Sequence, residues 1–440
     1  MPGLAMHNFR GFERTSIFFS DVNFFVGENS TGKTSVLSVM EILSSPEFFY
    51  SGELSSAYCD LSAFEDNLTQ NSSSKTFSLG YYRNAYLKSK YGSPNAVAFH
   101  FDNDNGLARI AKIAYIANGY LITGIFKKDR VVVQVNHAEL ISPKPIDALE
   151  KLMWGRPSSL KGEHVGNFTY FHKRLPTPSP IIAAMNVLAI EKIKKAEEDP
   201  NARIRINASL FPDLHWGAPI RAKPESVNAR ITRIYSPDGG HVPSIIRRAF
   251  GAQNDPQLEE RITGYIKTFG KDSHLFDEVL VKEYGTDHSA PFEVRIGFDS
   301  GEHKLSNVGY GVSQALPVLV EVAAARNEEN FVIQQPEVHL HPRAQAAFGD
   351  FFFDIAQKRG HTFYIETHSD FLIDRFRLQL NKSRSAKKPT TQIIFFKKNN
   401  SNGNTLHPIP IGSNGTFPEE MPSDYKDFFY KEEFGLLGIR

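Results

Sequence analysis

The 440-residue sequence contains a single cysteine, Cys59, which excludes a framework of internal disulfides. It also lacks a long apolar run, since ALPVLVEVAAA at 315–325 falls far short of the roughly 20 residues that span a bilayer. The opening MPGLAMHNFRGF has no apolar stretch of the kind that forms a signal peptide. We therefore expect a cytoplasmic protein without membrane contact.

Neither sign of charge is in excess. Fifty Lys and Arg stand against 49 Asp and Glu, so the whole chain has no net attraction for nucleic acid. A contact with DNA or RNA would need a local basic patch. Hydrophobic residues make up 41% of the chain, which is enough for a large core. Composition predicts a folded protein but does not indicate its partner.

The first chemical motif is GENSTGKT at 27–34, which fits the P-loop pattern G-x-x-x-x-G-K-[ST]. A buried strand is predicted before it and an amphipathic helix after it, as a P-loop requires. Backbone N–H groups of such a loop surround phosphate oxygens, Lys33 adds positive charge, and Thr34 can bind Mg²⁺. The alternative is an ordinary glycine turn that caps a helix. The predicted nucleotide-binding residues are Gly27, Asn29, Ser30, Thr31, Gly32, Lys33, Thr34 and Ser35.

The hydrophobic pattern changes twice along the chain. Residues 96–136 alternate apolar and polar positions around two Asn-Gly pairs, at 105–106 and 118–119, which predicts an antiparallel meander. From about 145 to 291 the sequence favours helices broken by Pro/Gly-rich stretches, which predicts an inserted helical subdomain. Strands then alternate with helices, the pattern of parallel strands joined by crossovers. The predicted domains are residues 1–140, 141–290 and 291–440.

Two further segments carry polar residues where ligands bind. THSD at 367–370 follows an apolar strand, and ligands of open parallel sheets collect at the carboxyl ends of strands. His368 is therefore either a nucleotide contact or a histidine at a helix start. In LSNVGYGVSQALPVL, Gly309, Gly311 and Ser313 precede or open an apolar helix. This segment is either a loop with a serine N-cap or a helix N-terminus that points at the phosphates of another subunit.

The order of these motifs resembles the ABC-type ATPases of the RecF, SMC and OLD (overcoming lysogenization defect) group. HNFRGF at 7–12 and PEVHLHP at 336–342 belong to the same resemblance. Within that group the chain is similar to compact bacterial ATPases of anti-phage defence systems, the Septu PtuA kind among them. The resemblance implies an α/β fold: an ABC-type P-loop ATPase head with a mixed sheet, the antiparallel meander and the helical insertion. It also implies ATP and Mg²⁺ as cofactors and a homodimer or higher homo-oligomer that encloses the nucleotide.

The resemblance assigns roles motif by motif: Lys33 and Thr34 to the phosphates and Mg²⁺, Gly309, Gly311 and Ser313 to the nucleotide of the facing subunit, and His368 to the γ-phosphate sensor. Ser306 is the alternative to Ser313 for the signature contact. The residue of the Q-loop, which the family also uses, is either Gln70 or Asp66.

One departure from the family concerns the strand that ends in FVIQQ. Related proteins carry there an acid that supports Mg²⁺ through water and a glutamate that polarises the attacking water, whereas this chain has Gln334 and Gln335. An amide cannot accept the proton of water, so general-base catalysis loses a factor of typically about 10² to 10⁴. A glutamine engineered to trap ATP would give the same sequence. Glu337 and Glu366 are the nearest carboxylates that can substitute, and Glu366 lies two residues before His368.

We therefore predict a slow ATPase. Its predicted catalytic residues are Gln335, Glu366 and His368, and its predicted metal-binding residues are Thr34 and Gln334. A metal site at His339 and His341 is the alternative for that loop, although no third ligand cluster accompanies it.

The predicted role is the control of a separate nuclease of HNH or TOPRIM type in anti-phage defence, because the sequence shows no cluster of nuclease acids. Besides the helical insertion, the expected docking surface consists of aromatic residues of the C-terminal segment: Phe428, Phe429, Tyr430 and Phe434. One alternative is a RecF-like DNA-binding clamp for repair or recombination that has no nuclease partner. The other is a scaffold that does not bind ATP.

Overall fold

The structure is a computed structural model of the chain. It describes residues 2–56, 58–70, 74–83, 96–117, 119–127, 130–138, 145–154, 163–169, 178–197, 214–219, 221–228, 234–252, 254–287, 290–399, 403–422 and 424–425. The predicted aromatic docking residues from 428 to 434 lie outside this part of the chain, as does residue 118 of the second predicted turn.

The chain divides into two compact units, each assembled from separate stretches of sequence. Unit 1 comprises Met1–Phe19, Glu28–Asp213 and Phe396–Leu406. Unit 2 comprises Ser20–Gly27, Leu214–Phe395 and His407–Arg440.

Unit 1 contains an eight-stranded antiparallel sheet in the order β2-β1-β4-β5-β6-β7-β8-β9. Its strands are β1 (Pro2–Phe9), β2 (Phe12–Phe18), β4 (Phe77–Arg83), β5 (Ala96–Asp104), β6 (Leu107–Ala117), β7 (Tyr120–Phe126), β8 (Arg130–His137) and β9 (Glu163–Thr169). Its helices are α1 (Lys33–Ser44), α2 (Pro46–Ser51), α3 (Phe64–Asn67), α4 (Pro145–Trp154) and α5 (Pro178–Glu197).

The predicted meander is confirmed, because β5 to β8 pair consecutively. Asn105 and Gly106 have φ angles of 54° and 88°, the left-handed values that a tight hairpin turn requires.

The two faces of this sheet have different coverings. On one face, large apolar side chains such as Leu79 and Phe99 are fully buried. On the other face, small residues directly opposite one another in four neighbouring strands allow α4 to approach. These residues are Ala5, Gly80, Ala98 and Ala114. A Cβ atom added to Gly80 would lie 2.8 Å from the Met153 Sδ of α4, so a larger residue here would require the Met153 side chain to move.

Unit 2 is centred on a six-stranded sheet in the order β10-β14-β15-β3-β16-β17, in which β10, β14, β15 and β3 run parallel. Its strands are β3 (Val22–Gly27), β10 (Leu214–Gly217), β14 (Asn330–Gln334), β15 (Thr362–Glu366), β16 (Thr391–Asn399) and β17 (Gly403–Ile411). The end of β16 and the start of β17 lie in the stretch Phe396–Leu406, which is counted with unit 1. A second, antiparallel sheet consists of β11 (Glu278–Glu283), β12 (Phe292–Phe298) and β13 (Gly301–Lys304). The helices are α6 (Val242–Phe250), α7 (Pro256–Ser273), α8 (Tyr310–Ala324), α9 (Pro342–Arg359) and α10 (Asp370–Lys382).

The apolar faces of these helices and of the parallel strands form one continuous core within unit 2. Alternation of strands and helices after residue 291 therefore produces the parallel sheet that the sequence predicts, and the fold has mixed α/β content. Among the described helices, none is both long and apolar enough to cross a bilayer.

The segment predicted as a helical insertion, residues 141–290, contains α4 to α7 and also three strands, β9, β10 and β11. These strands have only four to seven residues. Strand β9 has no fully buried position, so no alternation of apolar residues marks it in the sequence. The division into three domains stays a prediction.

Candidate nucleotide-binding site

The P-loop connects β3 to α1, which begins at Lys33 as the sequence predicts. Gly27, Ser30 and Gly32 have φ angles of 150°, 63° and 95°, which turn the backbone through conformations that favour glycine. The side chain of Lys33 is almost fully buried, and its Nζ donates to the Glu28 carbonyl at 2.8 Å. The ammonium group is therefore held within the loop itself.

Gly32 is packed against the hairpin that joins β1 and β2. A Cβ atom at Gly32 would lie 2.5 Å from Phe12 Cζ, and Phe12 is itself fully buried. The hairpin is fixed in turn by α3 and the residues after it: Arg10 Nε donates to Asn67 Oδ1 at 3.1 Å. The HNFRGF motif thus packs against the P-loop at Gly32, a role that the sequence does not reveal.

The groups on this loop suit a nucleoside triphosphate. The left-handed residues form a glycine-rich turn before the N-terminus of α1, the arrangement that presents backbone N–H groups to phosphate. Lys33 supplies one positive charge, and the exposed Thr34 supplies a hydroxyl for a metal ion. The predicted ligands Asn29 and Ser35 are exposed and half-buried, respectively.

In unit 2, the carboxyl ends of β14, β15 and β3 meet at one edge of the parallel sheet. Gln334 pairs with Glu366, and Glu366 pairs with Phe25. The Gln334 Nε2 atom donates to Glu366 Oε2 at 3.1 Å, and both side chains are buried. Gln335 has a φ of 45°, a left-handed value, and its N–H donates to the Glu366 carbonyl at 2.8 Å. The amide of β14 and the carboxylate of β15 therefore form one buried polar pair.

Glu337 places a second carboxylate beside this pair. Its Oε1 accepts from the His368 backbone N–H at 2.7 Å. Its Oε2 is buried and has no hydrogen-bond partner among the described residues. Burial raises the pKa of Glu337, although the hydrogen bond from His368 opposes this rise. The half-buried His368 thus lies two residues after the end of β15, in the segment that the sequence predicts to follow this strand, and its backbone is hydrogen-bonded to the loop that follows β14.

Arg221 is a buried cation that the sequence reasoning missed. Its Nη1 donates to the Gln334 carbonyl at 3.1 Å, and its backbone N–H donates to Gln314 Oε1 of α8 at 3.2 Å. Burial lowers the pKa of Arg221 to about 10, and the negative charge of Glu337 acts in the opposite direction. Arg221 therefore connects the end of β14 to the start of α8. The only sequence signal for it is the loosely matching stretch GAPIR, of which it is the last residue.

Comparison with known families decides the class of the protein. The AAA ATPase domain family matches residues 3–129 and 245–373, more than half of the chain. The chain belongs to the AAA ATPase domain family. None of the curated proteins matches it.

The ATPase is similar to solved SMC head domains. A structure of the Smc head bound to the C-winged helix domain of ScpA is 11% identical to this chain and has a TM-score of 0.43. The alignment covers 93% of this chain and 98% of the Smc head. An Smc head with an extended coiled coil bound to the C-terminal domain of ScpA, derived from Pyrococcus furiosus, is 11% identical, with coverages of 93% and 97% and a TM-score of 0.42. The SMC head domain from Thermotoga maritima is 10% identical, with coverages of 92% and 97% and a TM-score of 0.37.

The glycine-serine segment of the ATPase begins α8. Gly309 is its N-cap, is exposed, and has open space around the position of a Cβ atom. Tyr310 is 65% exposed. Ser313 is instead 5% exposed, and its Oγ donates to the Tyr310 carbonyl at 2.9 Å. Ser306 lies in the 3-10 turn Leu305–Asn307 and is half-buried. The first residues of the helix, rather than Ser313, form the accessible surface.

The structure brings Gln334, Gln335, Glu366 and His368 to one sheet edge of unit 2. Gly309, Gly311 and Ser313 lie at the start of α8 in the same unit, whereas residues 28–35 of the P-loop belong to unit 1. The two Q-loop alternatives, Gln70 and Asp66, are both exposed. His339 and His341 are also exposed, and no group of three or more metal-ligating side chains occurs in the described ranges. The individual roles of these residues stay predictions.

Proposed function

We propose that this ATPase binds ATP at the loop of residues 27–34, hydrolyses it slowly, and closes two copies around the nucleotide as a switch. One observation carries the proposal: the position of the usual acid on β14 holds a neutral amide, which is hydrogen-bonded at 3.1 Å to the carboxylate of Glu366 on β15. The loop retains the lysine and the glycines of a P-loop, and the carboxylate that is hydrogen-bonded to this amide lies on the neighbouring strand.

The residues have separate tasks in this proposal. Lys33 and the loop N–H groups hold the phosphates, and the Thr34 hydroxyl is a ligand of Mg²⁺. ATP supplies the phosphoanhydride bond that is broken. Glu366 is the carboxylate that accepts the proton of the attacking water, and Glu337 is the second carboxylate near it. Because the Glu366 carboxylate is already hydrogen-bonded to the Gln334 amide, it must give up or share this contact to take a proton from water, and we expect turnover well below the median of about 10 s⁻¹.

Nucleotide binding and closure are tested by two variants. Lys33→Ala should abolish ATP binding in calorimetry, because it removes the only ammonium group of the loop. Gly309→Arg should keep ATP binding but prevent the ATP-dependent increase in mass in light scattering, since the open space around Gly309 accepts a side chain in the single chain. Unchanged ATP affinity in the lysine variant would contradict the proposal.

We also propose that the switch controls a separate nuclease of HNH or TOPRIM type in anti-phage defence. The order of motifs supports this role, and a long-lived nucleotide state suits regulation better than rapid turnover does. Co-expression with the neighbouring genes, followed by purification at moderate salt, should yield a stoichiometric complex with a nuclease. A lone dimer that binds DNA ends and gives no phage resistance would instead indicate a repair clamp.

A further inference from the structure

A groove of about 510 Å³ lies between α7 and α9 on the surface of unit 2. Tyr265 and Phe269 of α7 and Phe351 of α9 line it with aromatic rings. The rings of Tyr265 and Phe351 meet edge to face, with centroids 6.0 Å apart. Gly264 also lines the groove; it is exposed, and no atom lies within 4 Å of the position of a Cβ atom. The groove therefore has an aromatic lining and room for side chains of another molecule.

The glycine at position 264 is not required by the packing of the chain itself. Glycine weakens the interior of a helix relative to alanine. Gly270 on α7 and Gly349 on α9 have a reason to be glycine, since their Cβ atoms would lie 2.4 Å from the Phe276 carbonyl and 2.5 Å from the Leu372 carbonyl. Gly264 has no such neighbour. An exposed helical glycine of this kind is expected where another molecule approaches the helix closely.

The two ends of the groove carry different charges. At the aspartate end, burial raises the pKa of Asp350, and the negative charge of Asp272 acts in the same direction, while the hydrogen bond from Gln379 opposes the rise. At the arginine end, the pKa of Arg359 is lowered by burial, and the positive charge of Arg261 acts in the same direction. Arg261 and Asp272 lie about 17 Å apart along α7, at 1.5 Å per residue. Helices α7 and α9 are thus antiparallel, and the groove is about three turns long.

Each end of the groove has an unpaired group. Within the described ranges, no hydrogen bond or ion pair involves the carboxylate of Asp272, and the buried Nε of Arg261 has no hydrogen-bond partner there. The other charges are either paired, as Lys358 is with Asp354 at 2.7 Å, or exposed to water, as Glu260 is. An occupant of the groove should therefore carry a cation at the aspartate end and an anion at the arginine end.

The exposed face of α10 has this pattern. Phe371 and Leu378 are 48% and 41% exposed and lie two turns apart. Asp374 lies between them; it accepts from Arg377, yet its side chain stays 49% exposed. Lys382 at the end of the helix is exposed, and its side chain has no partner among the described residues. Positions 371, 374, 378 and 382 share one helix face, which is about 17 Å long and so matches the groove.

Within one chain, α10 lies beside the groove and runs parallel to α9. Gln379 Nε2 donates to Asp350 Oδ1 at 2.6 Å, and further along both helices Gln357 Nε2 donates to Ser383 Oγ at 3.1 Å. The C-terminal end of α10 therefore lies towards the arginine end of the groove in its own chain. Its Lys382 is not placed to meet the carboxylate at the other end.

We propose that α10 of a second copy of this chain occupies the groove, and that the first copy makes the same contact in return. A two-fold axis perpendicular to the helices reverses the direction of the second α10. Lys382 of the second copy then meets Asp272, its Asp374 meets Arg261, and its two exposed apolar side chains pack on the aromatic lining. This contact uses neither the P-loop nor the start of α8. It extends the proposed function without depending on it, since a second two-fold contact links nucleotide-closed pairs into a larger assembly.

Sedimentation velocity of the full chain without nucleotide, at about 1 to 100 μM protein, tests this association. The wild-type chain should form a dimer whose fraction rises with concentration. Gly264→Leu should stay monomeric throughout, because the leucine side chain fills the groove. The Cβ atom of this leucine meets no atom of its own chain, and leucine favours a helix, so circular dichroism should show an unchanged fold.

An exchange of charges tests the pairing of the two ends. Asp272→Lys and Lys382→Glu should each weaken the association at least about 10-fold, since repulsion replaces attraction at two symmetry-related contacts. An equal mixture of the two variants should restore it, because one contact then joins the two exchanged residues and the other joins the two original ones. Lys267→Glu is the matched control: it reverses an exposed charge of α7 outside the groove and should change nothing.

Three results would each overturn the proposal: a wild-type chain that stays monomeric at about 100 μM, a dimer that persists in Gly264→Leu, or a mixture that does not recover association. If Gly264→Leu does not fold, the exchange of charges decides, because Lys382 is exposed and Asp272 is half-buried. Lys33→Ala should dimerise like the wild type in this assay. The outcome is therefore separate from that of the ATP-binding test.

Discussion

Replacing Glu321 by glutamine should destabilise unit 2 by about 3 kcal/mol in mildly acidic solution. Glu321 lies on α8, where Oε2 contacts His241 Nε2 at 2.6 Å and Oε1 contacts His215 Nδ1 at 3.3 Å. Burial acts to raise the pKa of Glu321, but the hydrogen bonds from the two histidines outweigh burial and hold it at about 2, against an ordinary 4.5. Each pH unit of pKa difference corresponds to about 1.4 kcal/mol, which gives the predicted loss.

The direction in which this stabilisation changes with pH follows from the pKa shifts of Glu321 and His215. Glu321 has a depressed pKa in the folded state, so its contribution is complete above its ordinary 4.5 and is lost as the pH falls towards about 2. For His215, burial acts to lower the pKa, but Glu321 and Glu329 outweigh it and raise the pKa. Its contribution is therefore complete below its ordinary 6.5 and is lost as the pH rises through the raised value. The destabilisation caused by Glu321→Gln should therefore be largest between pH 4.5 and pH 6.5.

Urea unfolding at a series of pH values measures this effect. The fluorescence of Trp216 is a suitable signal, because this buried residue follows His215 on β10. Glu328→Gln is the matched control, since Glu328 is exposed and contacts neither histidine. A loss of the same size at about pH 3 and about pH 6, or no difference from the control, would refute the reasoning.

Three further predictions concern single residues. Gln335→Glu should increase the rate of phosphate release by about 10²- to 10⁴-fold in a steady-state assay, because a carboxylate can act as a base; an unchanged rate would show that this position does not contact the water. Gly32→Ala should abolish ATP binding in calorimetry, since the new Cβ would lie 2.5 Å from an aromatic ring of β2; normal affinity would contradict the packing. Gly264→Ala, with open space on α7, should raise the melting temperature, whereas Gly349→Ala should lower it, because its Cβ would meet a backbone carbonyl of α10 at 2.5 Å; equal shifts would refute this contrast.

Local patterns predicted the elements that depend on neighbouring residues. The start of α1 at Lys33 follows from the P-loop spacing, and the tight turn at Asn105-Gly106 follows from the φ angles that these residues adopt easily. Long-range contacts could not be predicted in this way. Arg221 reaches Gln334, 113 positions later in the chain, and no periodicity encodes such a hydrogen bond.

The amide at position 334 also has a consequence for the order of binding. Mg²⁺ prefers hard, anionic oxygen ligands and loses its water reluctantly. With Gln334 neutral, the buried pair at the end of β14 and β15 offers one carboxylate instead of two, and that carboxylate already accepts a hydrogen bond. In the function proposed above, free Mg²⁺ should therefore gain little at this pair, and its concentration should not by itself set the state of the switch.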